Sequence, residues 1–404
     1  MLNDRVLRLV DLVRLRVPAD RNTCPLTVQG IQGLAARMGR PIRAAVARCD
    51  GIGDWILTFP LIAALNDSSA VASVTLVGPS NHRCLLESLT RMEFIGVELW
   101  ANHDTPWPHG AVGKALAISA LGQRRAYLAG QRLVGQFDLV VLPRWDTDRG
   151  QNMRFLAAGA STLIAGHDPV LQPQASPKER DEGEVLTIRC RDERLYAHES
   201  ERLELLGLTL GLPMVEPTEG VRRLLGLPRE AKSERLVLVV HDGAHDEFRR
   251  WNSDKWSDLI RRALFETDLE IVLVGGPGDR SRHENLVTID SNRVRSVAGQ
   301  SSWSDLSRIL DNSAAFVGND SGPAHLAAAV GIPTFVVSCF PFGGHPGHPN
   351  SPARFAARSV GGWEVYQPTP ESNTRSRLDL SRIDSVGVDA VWGGVRHAIE
   401  SSRS

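Results

Sequence analysis

The stretch Phe316–Val337, FVGNDSGPAHLAAAVGIPTFVV, decides the fold. The apolar run 314–317 stops at Gly318-Asn319-Asp320-Ser321-Gly322, a turn in which glycine lets the backbone bend sharply and be closely approached. A helix of small residues, Pro323 to Val330, follows, with Gly331 as its stop and a second apolar run from Pro333 to Val337. The pattern predicts strand, tight turn, helix and strand in very few residues. Asp320 and Ser321 suit the N-cap, and Pro323 suits the first helical turn. The start of such a helix, with its unpaired N–H groups and positive dipole end, can seat a phosphate. A capped helix in a parallel sheet with no ligand at all would show the same pattern. An aspartate beside a phosphate seat, however, makes sense if it addresses sugar hydroxyls.

Gly318, Asp320, Ser321, Gly322, His325, Ala328, Ala329, Gly331 and Pro333 resemble the signature G-x-D-[ST]-G-x-x-H-x-x-A-A-x-G-x-P of the heptosyltransferase family, glycosyltransferase family 9. Nearer the start, Ile42 to Ala47 reads as a buried strand. It is followed by Asp50-Gly51-Ile52-Gly53-Asp54 and a helical run, Trp55 to Asn66. Strand, glycine turn and helix open a nucleotide-type fold, but without the G-x-G-x-x-G of a dinucleotide site. Asp54 can simply cap its helix, or it can face the crevice at the carboxyl end of a first parallel strand. The run GIGDWILTFPLIAAL resembles the family motif G-D-x-x-x-x-x-P-x-x-x-x-L, with Pro60 and Leu65 in register, and that likeness gives Asp54 the position of the catalytic base.

Working outward, strand-like runs at Val74–Val77, Phe94–Leu99 and Phe137–Leu142 alternate with helical ones, including 112–133. The alternation restarts after a linker near 212–232, with strands at 235–240, 270–274 and 293–297 and helices at 254–264 and 302–310. This predicts two Rossmann-like α/β domains, each with a parallel sheet. The resemblance implies that they face a cleft, as in the glycosyltransferase-B fold. The divisions are an N-terminal extension at 1–40, an acceptor-binding domain at 41–212 and a nucleotide-sugar-binding domain at 213–404. Residues 102–110 read as a loop. Arg144 and Asp146, beyond another strand, are either acceptor contacts or a surface pair. Residues 168–194, crowded with Pro, Gln, Lys and Glu, read as an irregular and mobile loop.

With 404 residues, 42% hydrophobic and 23% charged, the chain reads as globular, and a net charge of -1 argues against nucleic acid as partner. Five scattered cysteines with no C-x-x-C fit a reducing cytoplasm and no structural zinc, and His345 and His348 lack further convincing ligands. No run is long and apolar enough to span a membrane, and the start lacks the pattern of a secretory leader. Residues 2–17 form a basic amphipathic pattern, which either packs on the protein or lies at the inner leaflet of the plasma membrane.

The resemblance implies an inverting, metal-independent sugar transfer with no cofactor. The donor would be a nucleotide-sugar, ADP-heptose by likeness, and the acceptor a glycan or lipopolysaccharide core. Transferases of other nucleotide-hexoses or deoxysugars, and a noncatalytic nucleotide-sugar- or glycan-binding protein, share that pattern. Arg249-Arg250-Trp251 matches the family's Lys-Arg-Trp-Pro, so Arg249 and Arg250 would meet the diphosphate. Asp279 would reach ribose hydroxyls and Asp320 the donor sugar. Ser321 and Gly322 would cradle the diphosphate, with His325 beside them. The chain departs from the family after Val337, where SCFPFGGHPGHPNSPARF replaces a short Phe-Gly-Pro-Thr loop.

Overall fold

The computed structural model describes residues 30–90, 92–97, 120–144, 153–160, 162–168, 186–194, 196–214, 217–228, 237–346, 348, 351–369 and 380–401. The amphipathic pattern at 2–17, the loop at 102–110 and Asp146 lie outside them. The chain divides into two compact units. The first comprises Met1–Asp50, Pro60–Leu195 and Ser200–Val215, and the second Gly51–Phe59, Tyr196–Glu199 and Glu216–Ser404.

The first unit carries β1 (Ile42–Ala47), β2 (Val71–Gly78), β3 (Glu93–Gly96), β4 (Leu139–Leu142), β5 (Leu163–His167) and β6 (Ile188–Cys190). They form one parallel sheet in the order β3-β2-β1-β4-β5-β6. β4 is apolar and wholly buried, and β1 is so apart from Arg43, as expected for strands covered on both faces. The helices are α1 (Gly30–Met38), α2 (Ile52–Asp67), α3 (Arg83–Leu86), α4 (Ala120–Gln131), α5 (Met153–Gly159) and α6 (Glu199–Thr209). The first turns of α2 and the start of α6 group with the second unit. Of the stretch 168–194 expected to be irregular, residues 169–185 lie outside the described ones, and Ile188–Cys190 form β6. Thr187–Cys190 alternates short polar and apolar residues, and its Ile188 and Cys190 are buried while Arg189 points out.

The second unit repeats the winding. β7 (Val237–His241), β8 (Glu270–Leu273), β9 (Val294–Ser296), β10 (Ala315–Asn319), β11 (Thr334–Val337) and β12 (Trp363–Tyr366) form a parallel sheet ordered β12-β11-β10-β7-β8-β9. Around it lie α7 (Pro217–Leu224), α8 (Ser253–Glu266), α9 (Arg280–Val287), α10 (Trp303–Asp311), α11 (Gly322–Val330), α12 (Pro352–Phe355) and α13 (Val388–Ser401). The chain runs outward from β7 to β9, then returns to place β10 beside β7, with Gly318 opposite His241. That reversal opens a crevice at the carboxyl ends of β7 and β10, where open α/β sheets bind ligands. α11 is buried nearly all round, from Ala324 to Ala328 and at Val330, and Gly331, in the left-handed region at φ 93°, ends it. Trp251 and Trp256 meet edge to face at 5.0 Å beneath the site-bearing loops. Among the described residues no helix is long and apolar enough to cross a membrane.

Candidate active site

The site grows from the last residues of β10. Asn319, fully buried, accepts the Trp251 N–H at 3.0 Å through Oδ1 and donates through Nδ2 to the Asp242 carbonyl at 2.7 Å. One side chain thus locks the loops after β7 and before α8 to the end of β10. Its neighbour Asp320 receives Arg249, whose Nη2 donates to the Asp320 carbonyl at 2.7 Å and to Oδ2 at 3.2 Å. Arg249 Nε is buried and has no hydrogen-bond partner among the described residues. His325 Nε2 lies 3.9 Å from Asp320 Oδ1, and its buried Nδ1 likewise has no partner. Burial pushes the His325 pKa down, Asp320 pulls it up and Arg249 pushes it down, so the imidazole is neutral at pH 7.

Ser321 occupies the N-cap position of α11, but its side chain does not cap the helix, contrary to the sequence expectation. Its Oγ lies 3.0 Å from both the Asn319 carbonyl and His241 Nδ1. Donating its proton to the carbonyl leaves Oγ to accept an N–H from Nδ1. Asp320 is likewise turned toward Arg249 rather than over the helix end. The positive end of α11 therefore carries no side-chain cap. A Cβ on Gly322 would stand 3.1 Å from Ile52 and 3.2 Å from Trp303, so glycine is what fits there.

Across the crevice, Asp279 closes a turn by accepting the Gly276 N–H at 2.7 Å, and Arg282 binds its other oxygen. A Cβ on Gly275 would sit 2.3 Å from Asp279 Oδ2, and one on Gly243 3.1 Å from both carboxylate oxygens. These two glycines admit the carboxylate between the turns. Behind it, buried Asp242 accepts from Arg282 Nε at 3.0 Å and pairs with His283 Nε2 at 2.9 Å, while His283 Nδ1 meets Ser296 Oγ at 2.7 Å. Burial alone would raise the Asp242 pKa, but His283 and Arg282 outweigh it and lower it. Burial holds His241 down at about 4, with Asp279 and Asp242 pulling it up and His283 and Arg282 pushing it down.

Arg250 is separate from this constellation; its Nε donates to the Ala244 carbonyl at 3.0 Å and braces the turn after β7. Asp54 is the third residue of α2 rather than its N-cap, and its carboxylate accepts the N–H of Gly51, just before the helix, at 3.0 Å. The segment that carries it belongs to the same compact unit as the Asp320 turn. A Cβ on Gly53 would fall 2.6 Å from His325 Cδ2. Arg144, in the other unit, lies 3.5 Å from Asp50. His345 meets the Tyr196 ring edge-on at 5.5 Å. Among the described residues no group of three or more His, Cys, Asp and Glu is arranged to hold a metal ion. Sequence reading passed over Asn319, His241, Asp242, Arg282 and His283. The one signal for Asn319 was an amide at the end of an otherwise apolar run.

Residues 200–340 match the model of glycosyltransferase family 9 (heptosyltransferase). Lipopolysaccharide heptosyltransferase 3 of Escherichia coli K12 is 31% identical over 110 residues, 26% of this chain and 30% of that protein. The alignment with this curated relative therefore spans under a third of the relative's length. A putative glycosyltransferase of Haemophilus influenzae is 22% identical over 307 residues, 72% of this chain and 80% of that one. Among solved structures, E. coli ADP-heptose heptosyltransferase II superposes with a TM-score of 0.58 at 16% identity, covering 90% of this chain and all of that one. E. coli heptosyltransferase WaaC with ADP gives 0.60 at 17% identity, covering 88% and 99%. The two Rossmann-like units are thus those of the glycosyltransferase-B fold. The matched residues 200–340 contain the Asn319–Asp320–Ser321 turn, Arg249 and Asp279, the residues that line the β7–β10 crevice.

Proposed function

We propose that the chain is an inverting, metal-independent glycosyltransferase of the heptosyltransferase type. The nucleotide-sugar is held by the C-terminal domain, residues 213–404, and the acceptor by residues 41–212. The observation that carries this reading is the pair of buried nitrogens beside Asp320, Arg249 Nε and His325 Nδ1, neither with a hydrogen-bond partner among the described residues. Buried N–H groups and a guanidinium want an acceptor, and an anionic diphosphate at an uncapped helix start supplies several.

In the proposed reaction Asp54 takes the acceptor hydroxyl's proton as its oxygen bonds the anomeric carbon. The bond from that carbon to the diphosphate breaks and its electron pair leaves with the diphosphate. Arg249 and the start of α11, with Ser321, Gly322 and His325, receive that charge, so a metal is not needed for the role. Asp320 orients the sugar hydroxyls, Asp279 accepts from ribose hydroxyls, and Arg250 keeps the turn after β7 in place. Arg144 and Asp146 belong on the acceptor side. The donor is ADP-heptose, a reading supported by the likeness to E. coli ADP-heptose heptosyltransferase II and to WaaC with ADP, and the acceptor a glycan or lipopolysaccharide core. The place of action is the cytoplasmic face of the membrane, with peripheral attachment.

The test is thermal unfolding against a panel of nucleoside diphosphates, because a ligand that binds the native state raises its apparent stability. ADP should raise the melting temperature most. No shift with any nucleotide up to millimolar concentration would overturn the donor reading.

A further inference from the structure

The Asp279 carboxylate stands at the end of a chain of contacts that sugar transfer itself does not use. The chain starts at Ser296, the last residue of β9, whose Oγ lies 2.7 Å from His283 Nδ1. His283 Nε2 lies 2.9 Å from Asp242 Oδ1. Asp242 Oδ2 accepts from Arg282 Nε at 3.0 Å, and Arg282 Nη2 donates to Asp279 Oδ1 at 2.5 Å. His283 is 1% and Asp242 4% exposed, so neither turns away to water. One guanidinium therefore bridges two carboxylates, one anchored behind the sheet and one at the crevice.

A carboxylate on a turn would ordinarily sample several rotamers. This one is fixed at both oxygens, Oδ1 by Arg282 and Oδ2 by the Gly276 N–H at 2.7 Å. Those are its carboxylate's only hydrogen bonds among the described residues. Each oxygen of an ionised carboxylate has about two acceptor positions, so one on each stays available. The planar guanidinium holds its nitrogens in a fixed relation, and anchoring Nε on Asp242 thereby aims Nη2. At Gly243 a Cβ would stand 3.1 Å from Oδ1 and 3.1 Å from Oδ2, and would crowd both at once. The equal distances turn an edge of the carboxylate, not one oxygen, toward that position. Two acceptors on one carbon suit two hydroxyls on adjacent carbons of a ring.

We propose that Arg282, anchored on Asp242, is a positioning residue that sets the Asp279 carboxylate edge-on to two adjacent ribose hydroxyls, so that donor binding depends on the intact diol. The proposal rests on the donor reading above, in which a nucleoside diphosphate enters the β7–β10 crevice. Asn319 Nδ2 donates to the Asp242 carbonyl at 2.7 Å. Asp242 therefore joins the diol contact to the turn that meets the diphosphate.

Calorimetry on the full chain tests it, with ADP, 2′-deoxy-ADP, 3′-deoxy-ADP and the 2′,3′-dideoxy analogue as probes. Loss of either hydroxyl should weaken binding to the wild type by about tenfold or more. Arg282→Gln should lower the affinity for ADP to that for the dideoxy analogue, and leave the latter unchanged. A merely structural role would weaken all four nucleotides alike. Should Arg282→Gln fail to fold, Arg282→Lys takes its place. It keeps a cation beside Asp242 without the rigid fork, and it too should lose the discrimination. Wild-type binding that ignores either hydroxyl overturns the proposal, as does undiminished discrimination in a folded variant. Both of those results leave the donor reading standing. Failure of the wild type to bind ADP at all removes the donor reading, and the proposal with it.

Discussion

Arg249 and Asp320 hold each other through a 3.2 Å contact, although the proposed reaction asks one to meet a diphosphate and the other a sugar. Both remain partly exposed, so the pair is a weak one in energetic terms and a donor can displace it. If Arg249 receives the leaving charge, Arg249→Ala should raise the barrier to transfer by about 2–4 kcal/mol, with little change in melting temperature. Unchanged turnover would move the role to the helix start alone. Asp54 is argued differently, because its carboxylate accepts the Gly51 N–H at 3.0 Å and therefore holds the turn before α2 whatever else it does. Asp54→Asn keeps an oxygen for that bond but cannot take a proton. Turnover should fall on the order of a hundredfold or more while donor affinity and stability stay close to wild type. Wild-type turnover would leave Asp54 with that turn only. At this scale the sequence announced the residues whose spacing is fixed by one turn, Asp320, Ser321 and Gly322. It could not announce His241, Asp242 and His283, which meet through pairings between β7, β8 and β9 that local pattern does not encode.

Helix and strand positions were legible wherever apolar periodicity ran for five residues or more: β1 spans the expected Ile42–Ala47, and α10 starts after a Ser302–Asp305 capping box. β5, β6 and β12 escaped, although β9, no longer than β6, was expected at 293–297. The pairing of α4 with α5 also escaped, and its cause lies in two glycines. A Cβ on Gly130 would stand 1.9 Å from the Leu156 carbonyl oxygen, and one on Gly159 2.0 Å from that of Tyr127. The two helices touch backbone to backbone, which only glycine permits at both points. Gly130→Ala should therefore push them apart and cost about 1–3 kcal/mol, read as a lower denaturant midpoint. Gly393→Ala makes the same substitution in α13, where an added Cβ meets nothing within 4 Å. There the gain in helix propensity should stabilise by about 0.4–1 kcal/mol. Equal effects at the two positions would show that backbone contact does not set the cost.

The two sheets share one winding, and that repetition was visible as an alternation that stops near residue 212 and begins again. Invisible in the sequence was the grouping of Gly51–Phe59 and Tyr196–Glu199 with the second unit, a matter of packing over long separations. Both units bury histidines in neutral form, and this gives the molecule a common response to acid. His167 in the first unit is held at a pKa of about 3 by burial and by arginine charges. In the second, burial and Arg358 hold His198 at about 3, against its bond to the Ala356 carbonyl, and burial holds His241 at about 4. An unfolded histidine takes its proton below about pH 6.5, whereas these three in the native state wait until pH 4 or lower. Between those values the unfolded chain binds more protons, so stability falls as pH falls. Depressed carboxylates such as Asp242 weaken the fold further only below about pH 4, because unfolded aspartates ionise above that. The interval from pH 6.5 to 4 thus belongs to the histidines. Urea midpoints taken at pH 7, 6, 5 and 4.5 should decline steadily through it. His198→Gln, whose amide can still donate to the Ala356 carbonyl at the 3.0 Å site of the ring nitrogen, should flatten the decline. A midpoint constant from pH 7 to 4.5 in the wild type would mean that the histidines protonate without unfolding, and their neutrality in the native state would be refuted.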